Sequence, residues 1–86
     1  MNQVFLTGRV VYFTPTSLIM RIKETEEVPV EIVASIYENL VAAHISEGSF
    51  IGVKGVIAAR GDGFGICVLA NKIAILGERS VEDNDD

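Results

Sequence analysis

Six basic side chains precede residue 78: Arg9, Arg21, Lys23, Lys54, Arg60 and Lys72. Cations spread along a chain can form a track that neutralises phosphates. Such a track releases counterions and gives affinity without reading sequence. Aromatic rings offer a second chemistry. Tyr12, Phe13 and Phe64 lie in or beside predicted turns, where a presented ring can stack on an unpaired base for about 1–3 kcal/mol. Phe50 is expected in the core, and Phe5 either on the strand face that carries Arg9 or in a subunit contact. The plain alternative is six solvated charges on an ordinary surface and rings buried for packing.

Covalent and metal chemistry find less support. His44 and Cys67 are the single histidine and the single cysteine, so one chain cannot build a His/Cys metal cluster. Cys67 lies in an apolar run, where thiols are usually inert. Tyr37 and His44 fall on a predicted helix and are expected to pack. Glu24, Glu26 and Glu27 fall in a solvated loop. Gly61-Asp62-Gly63-Phe64-Gly65 lacks the Lys-Ser/Thr that completes a phosphate loop, and reads as a hairpin. No nucleophile, base and oxyanion site assembles. The expectation is a chain that is not an enzyme and needs no cofactor.

The elements that position these residues follow from alternation. Residues 1–13 set Val4, Leu6, Gly8 and Val10 on one face, and Phe5, Thr7, Arg9 and Val11 on the other. Gly8 marks a bend or a close backbone approach, and residues 14–17 form a short turn. Leu18, Met20 and Ile22 alternate with Ile19, Arg21 and Lys23 in a second strand. After an acidic loop at 24–27, Val28, Val30 and Ile32 alternate with Pro29, Glu31 and Val33 in a third. Ser35 and Glu38 form a capping-box pattern that predicts a helix over 36–46, ended by Gly48. Residues 50–60 and 64–76 read as strands four and five. The order β-β-β-α-β-β, with glycines inside strands, is that of the all-β, five-stranded oligonucleotide/oligosaccharide-binding (OB) Greek-key barrel. A barrel of the SH3 type is the alternative, disfavoured by a helix of that length.

The chain has 86 residues, 49% of them apolar, enough for one small domain that gains from association. Its net charge of −5 is uneven: residues 1–77 carry six basic and seven acidic side chains, and 78–86 one Arg and five acids. Residues 1–77 are therefore expected to form the barrel, and 78–86 a disordered acidic tail. With a single cysteine and no secretory leader, the expected location is cytoplasmic. No apolar run reaches the roughly 18 residues of a membrane span.

Met1-Asn2-Gln3-Val4-Phe5-Leu6-Thr7-Gly8-Arg9 resembles the opening of bacterial and phage single-stranded-DNA-binding proteins. Glu38-Asn39-Leu40, Gly48-Ser49, Val53-Lys54-Gly55 and Ala59-Arg60 resemble that family's helix and fourth strand, and Ala70-Asn71-Lys72-Ile73-Ala74-Ile75-Leu76 its last strand. The resemblance runs from residue 1 to about 77 and includes primosomal relatives of the family. It implies single-stranded DNA bound on one barrel face, homodimers or homotetramers, and an acidic tail that contacts partner proteins. The tail here lacks the family's terminal Pro-Phe. The family's outward rings on strand three are also missing: one register sets Glu27, Pro29, Glu31 and Val33 on that face, the other Val28 and Ala34. The leading expectation is a non-catalytic single-stranded-DNA-binding module for replication, recombination or repair, with RNA an open alternative. The runner-up is a protein-interaction module on the same barrel.

Overall fold

Alternation becomes strand over Gln3–Phe13 (β1), Ser17–Lys23 (β2), Glu26–Glu31 (β3), Phe50–Ala59 (β4) and Ile66–Gly77 (β5). One helix, Ala34–Ala42 (α1), lies between β3 and β4. This computed structural model describes residues 2–61 and 65–77. Phe64 and the tail at 78–86 lie outside the described residues.

The strands close into a barrel in the order β1-β2-β3-β5-β4, the OB architecture expected from the element order. All neighbours pair antiparallel except β3 and β5, which meet in parallel at Val30–Val68 and Glu31–Leu69. Leu18, Met20, Val30, Ile51 and Val53 are completely covered inside, with Val10 and Val68 beside them. Ile36 and Leu40 of α1, and Ile45 after it, join the same cluster. Burying each such side chain contributes about 1.5–3 kcal/mol.

β1 serves two sheets. It pairs with β4 from Gln3 to Arg9 and with β2 from Arg9 to Phe13. At the changeover a Cβ on Gly8 would collide with the Arg21 carbonyl oxygen, and one on Gly55, opposite Val4 near the other end of the β1–β4 pairing, would collide with the Leu69 carbonyl oxygen. Only glycine lets the backbones approach this closely, which explains the Gly8 position in the alternation.

Beyond Val10 the expected parity fails. A bulge between Val10 and Tyr12 adds one residue to β1, so Tyr12 faces Ile19 and Phe13 faces Leu18. Tyr12 turns outward. Phe13 turns in against the core, its ring 6.0 Å from that of Tyr37. Val11 and Ile19, expected on the exposed face, are half-buried, while Val33 is open as expected.

The helix also differs from the expected 36–46. It is shorter, and its N-cap is Val33, with no side-chain capping bond, so the Ser35–Glu38 box does not form. Its end is a Schellman motif rather than a stop at Gly48. His44 takes φ 58°, its N–H donates to the Val41 carbonyl, and the Ile45 N–H donates to the Leu40 carbonyl at 3.1 Å. These two bonds and the buried Leu40 and Ile45 define the motif. No helix among the described residues is long and apolar enough to cross a membrane.

Candidate nucleic-acid interface

Two outward faces share β1. On the β1–β2–β3 face, Arg9 stands opposite Arg21 and Arg21 opposite Glu27. The Arg21 Nη2 donates to Glu27 Oε2 at 2.6 Å, and its Nε reaches the same oxygen at 3.2 Å. Lys23, past a bulge in β2, stands 4.0 Å from the Glu26 carboxylate. Arg9 is held from the other side. Its guanidinium lies 4.9 Å from the centroid of the Phe50 ring, and its Nη1 donates to the Gly48 carbonyl at 3.1 Å. The Gly48 N–H in turn donates to the Val10 carbonyl at 2.8 Å, which fixes the loop before β4 against the bulge in β1.

Next to this charged row lies an apolar one: Tyr12, Ile19 and Pro29 are successive cross-strand neighbours. Tyr12 is 51% exposed, enough for its ring to receive a base. The tight turn beside it is tied by Thr14, whose Oγ1 accepts from the Thr16 and Ser17 N–H groups. On β3 the outward residues are Glu27, Pro29 and Glu31, continued after the strand by the exposed Val33, the first of the two registers open from the sequence. Glu31 accepts a weak bond from the Cys67 thiol, Sγ–Oε2 3.7 Å.

On the β1–β4–β5 face, Phe5, Lys54 and Lys72 form one cross-strand row, and Thr7, Gly52 and Ala74 form the next. Lys72 also lines a cleft of about 250 Å³ with Ser35, Asn39 and Asn71. No carboxylate among the described residues lines it.

The six basic residues therefore do not form one cluster. Arg9 meets Arg21, with Lys23 further along the same strand. Lys54 meets Lys72 on the other face. Arg60 follows the end of β4, where its N–H donates to the Gly65 carbonyl at 3.1 Å, away from both rows. Among the rings, Tyr12 is presented and Phe13 is not. Phe50, expected in the core, instead lies beneath the Arg9 guanidinium. That role was open to sequence reading only through the β1–β4 register, which pairs Arg9 with Phe50.

A half-exposed Arg–Glu pair is worth about 0–1 kcal/mol, so a phosphate can exchange for Glu27 at little cost. The site can thus bind anions and seat one base. No group of three or more metal-ligating side chains comes together among the described residues.

No family model matches the sequence, and no curated protein does. Solved structures do match. The mitochondrial single-stranded DNA binding protein Rim1 of S. cerevisiae superposes with a TM-score of 0.72 at 15% identity, covering 93% of this chain and 98% of that one. The dimeric N-terminal domain of PriB from Thermoanaerobacter tencongensis gives 0.68 at 19%, covering 90% and 98%. An OBody, NL8, bound to hen egg-white lysozyme gives 0.71 at 22%, covering 91% and 97%. At identities this low the likeness is one of fold: the chain is a five-stranded OB barrel, built like the yeast single-stranded DNA binding protein and PriB.

Proposed function

We propose that this chain is a non-catalytic module that binds single-stranded DNA in the cytoplasm and serves replication, recombination or repair. The observation that carries the reading is the Arg9–Arg21 cross-strand pair beside the outward Tyr12. Paired guanidiniums suit phosphates, and a neighbouring exposed ring suits a base. Solved structures of the same fold include a protein described as binding single-stranded DNA. RNA presents the same phosphates and bases, so it competes for the site. The acidic tail at 78–86 repels the strand and contacts partner proteins in this reading, and the barrel assembles into dimers or tetramers.

The test is fluorescence anisotropy against labelled oligo-dT at two salt concentrations, with oligo-U alongside. With Tyr12 the one ring presented beside the arginine pair, binding is expected near the micromolar range, on the order of −8 kcal/mol, and should weaken as salt rises. Tyr12→Ala should cost about 1 kcal/mol or more. Folded protein that ignores oligo-dT at low salt refutes the reading.

A second reading has its own support. Glu26, Glu27 and Glu31 crowd the β3 side of the face, and the same fold binds a protein in the lysozyme complex. Failure to bind any oligonucleotide favours this interaction-module reading.

A further inference from the structure

Resting on the nucleic-acid reading above, we infer that the bound strand runs lengthwise along β1, from Tyr12 past Arg9 onto Phe5, Lys54 and Lys72, rather than across β3. Charge decides the direction. The outward line of β1 is Gln3, Phe5, Thr7, Arg9 and Tyr12, without a carboxylate, whereas that of β3 carries Glu27 and Glu31. A polyanion leaving the Arg9–Arg21 pair meets repulsion on β3 and none on β1.

Lys54 and Lys72 give the second reason. They stand directly opposite each other across β4 and β5, an arrangement that destabilises a sheet unless something neutralises it. Arg21 and Lys23 each have a nearby glutamate. Lys54 and Lys72 have neither an ion pair nor a side-chain hydrogen bond among the described residues, and both are exposed. A phosphate seated between them removes the repulsion.

Phe5 is the third. It shares the Lys54 row, is 63% exposed, and leans over Gly52. A Cβ on Gly52 would stand 3.0 Å from the ring's Cζ and 3.3 Å from Leu76 Cδ1. Glycine leaves room for the ring to lie down on the sheet with one side open to solvent. Phe5 and Tyr12 are then two base platforms on one strand, at most about 20 Å apart at roughly 3.3 Å per residue with the bulge residue adding no length, and the cations lie between them. A second copy covering this face would bring four ammonium groups together in a desolvated contact, which is costly. The acidic tail would neutralise the lysines but leave the open ring without a role.

The experiment is anisotropy of the full chain with labelled oligo-dT, with light scattering on each variant. Lys54→Gln/Lys72→Gln should weaken binding about ten-fold at low salt and lower the slope of log affinity against log salt by about 0.7, the contribution of the one phosphate seated between them. Phe5→Ala should weaken it about five-fold or more with the slope unchanged. If the wild type binds and these variants match it, while Arg21→Ala and Tyr12→Ala weaken it, the strand stays on the β1–β2–β3 face. The inference then falls and the proposed function stands. A wild type that does not bind overturns both. Phe5→Ala that lowers the mass but not the affinity assigns Phe5 to a contact between copies and overturns its platform role. Carbodiimide cross-links from Lys54 or Lys72 to tail carboxylates that oligo-dT does not displace make the tail the occupant, and also overturn the inference.

Discussion

Arg21 is held by Glu27 through two contacts to one carboxylate oxygen, and both partners are about half exposed, 49% and 44%. At that exposure the pair adds little to folding. Its larger effect falls on anything anionic that approaches, because the carboxylate occupies the position a phosphate oxygen would take. Glu27→Gln keeps the shape and removes the competing charge. Affinity for oligo-dT should tighten by up to about five-fold, since at most about 1 kcal/mol is involved, and stability should move by less than that. Unchanged anisotropy curves for the variant would mean that phosphate does not reach Arg21. Phe50 plays the opposite part: its ring supports the Arg9 cation without occupying its charge.

At the scale of elements, α1 ends at a residue poorly suited to its backbone. His44 sits at φ 58°, where a side chain costs roughly 1–2 kcal/mol that glycine avoids. Part of that gain is lost to the greater freedom of glycine in the unfolded chain, about 0.5–1 kcal/mol. His44→Gly should therefore stabilise the protein by about 0.5–1 kcal/mol, read as a higher denaturation midpoint at unchanged slope. A lower midpoint would show that the imidazole makes a contact worth more than the strain. Sequence reading missed this end because it looked for glycine, and the nearest one, Gly48, serves the next loop. The barrel itself was legible: alternation sets Val4, Leu6, Gly8 and Val10 inward, and Leu18, Met20 and Val30 inward, as the structure has them. Parity holds only while strands pair one to one. The extra residue at Val11 reverses the faces of Tyr12 and Phe13, and nothing in the types Val10-Val11-Tyr12-Phe13 marks where it enters. For the same reason the candidate site was legible as a set of cations but not as two separate rows, because the pairing of Arg9 with Arg21, and of Lys54 with Lys72, depends on register.

At the scale of the molecule, a 9.3 kDa chain buries a small core, and domains of this size are marginal alone. Large apolar side chains stay open beside the β3–β5 contact: Val33 is 59% exposed, Ile66 57% and Leu69 37%. Association that covers them should raise the mass by light scattering to two or four chains. Leu69→Lys should shift the mass towards a single chain without loss of the fold. A single-chain mass across a wide concentration range would refute assembly. The patch and the lysine row share β5, with Leu69 three residues before Lys72, so adding oligo-dT to the assembled protein also reads whether assembly and strand binding compete.

The parallel contact of β3 with β5 rests on two residue pairs, fewer than any other pairing in the ring, yet without it the barrel is an open sheet. It joins residues 38 positions apart in the chain, Val30 to Val68 and Glu31 to Leu69, and only two pairs reward that loop closure, whereas seven reward the longer one between β1 and β4. It should form late in folding and open first in the native state. Backbone amides there should exchange with solvent through local opening, faster than those of Leu18, Met20 and Val53 in the antiparallel part. Equal protection, measured by native-state hydrogen exchange, would mean that the closure is as firm as the rest. If the seam does open first, the barrel behaves as a ring with one latch, released by fluctuation while the curved sheet around it stays intact.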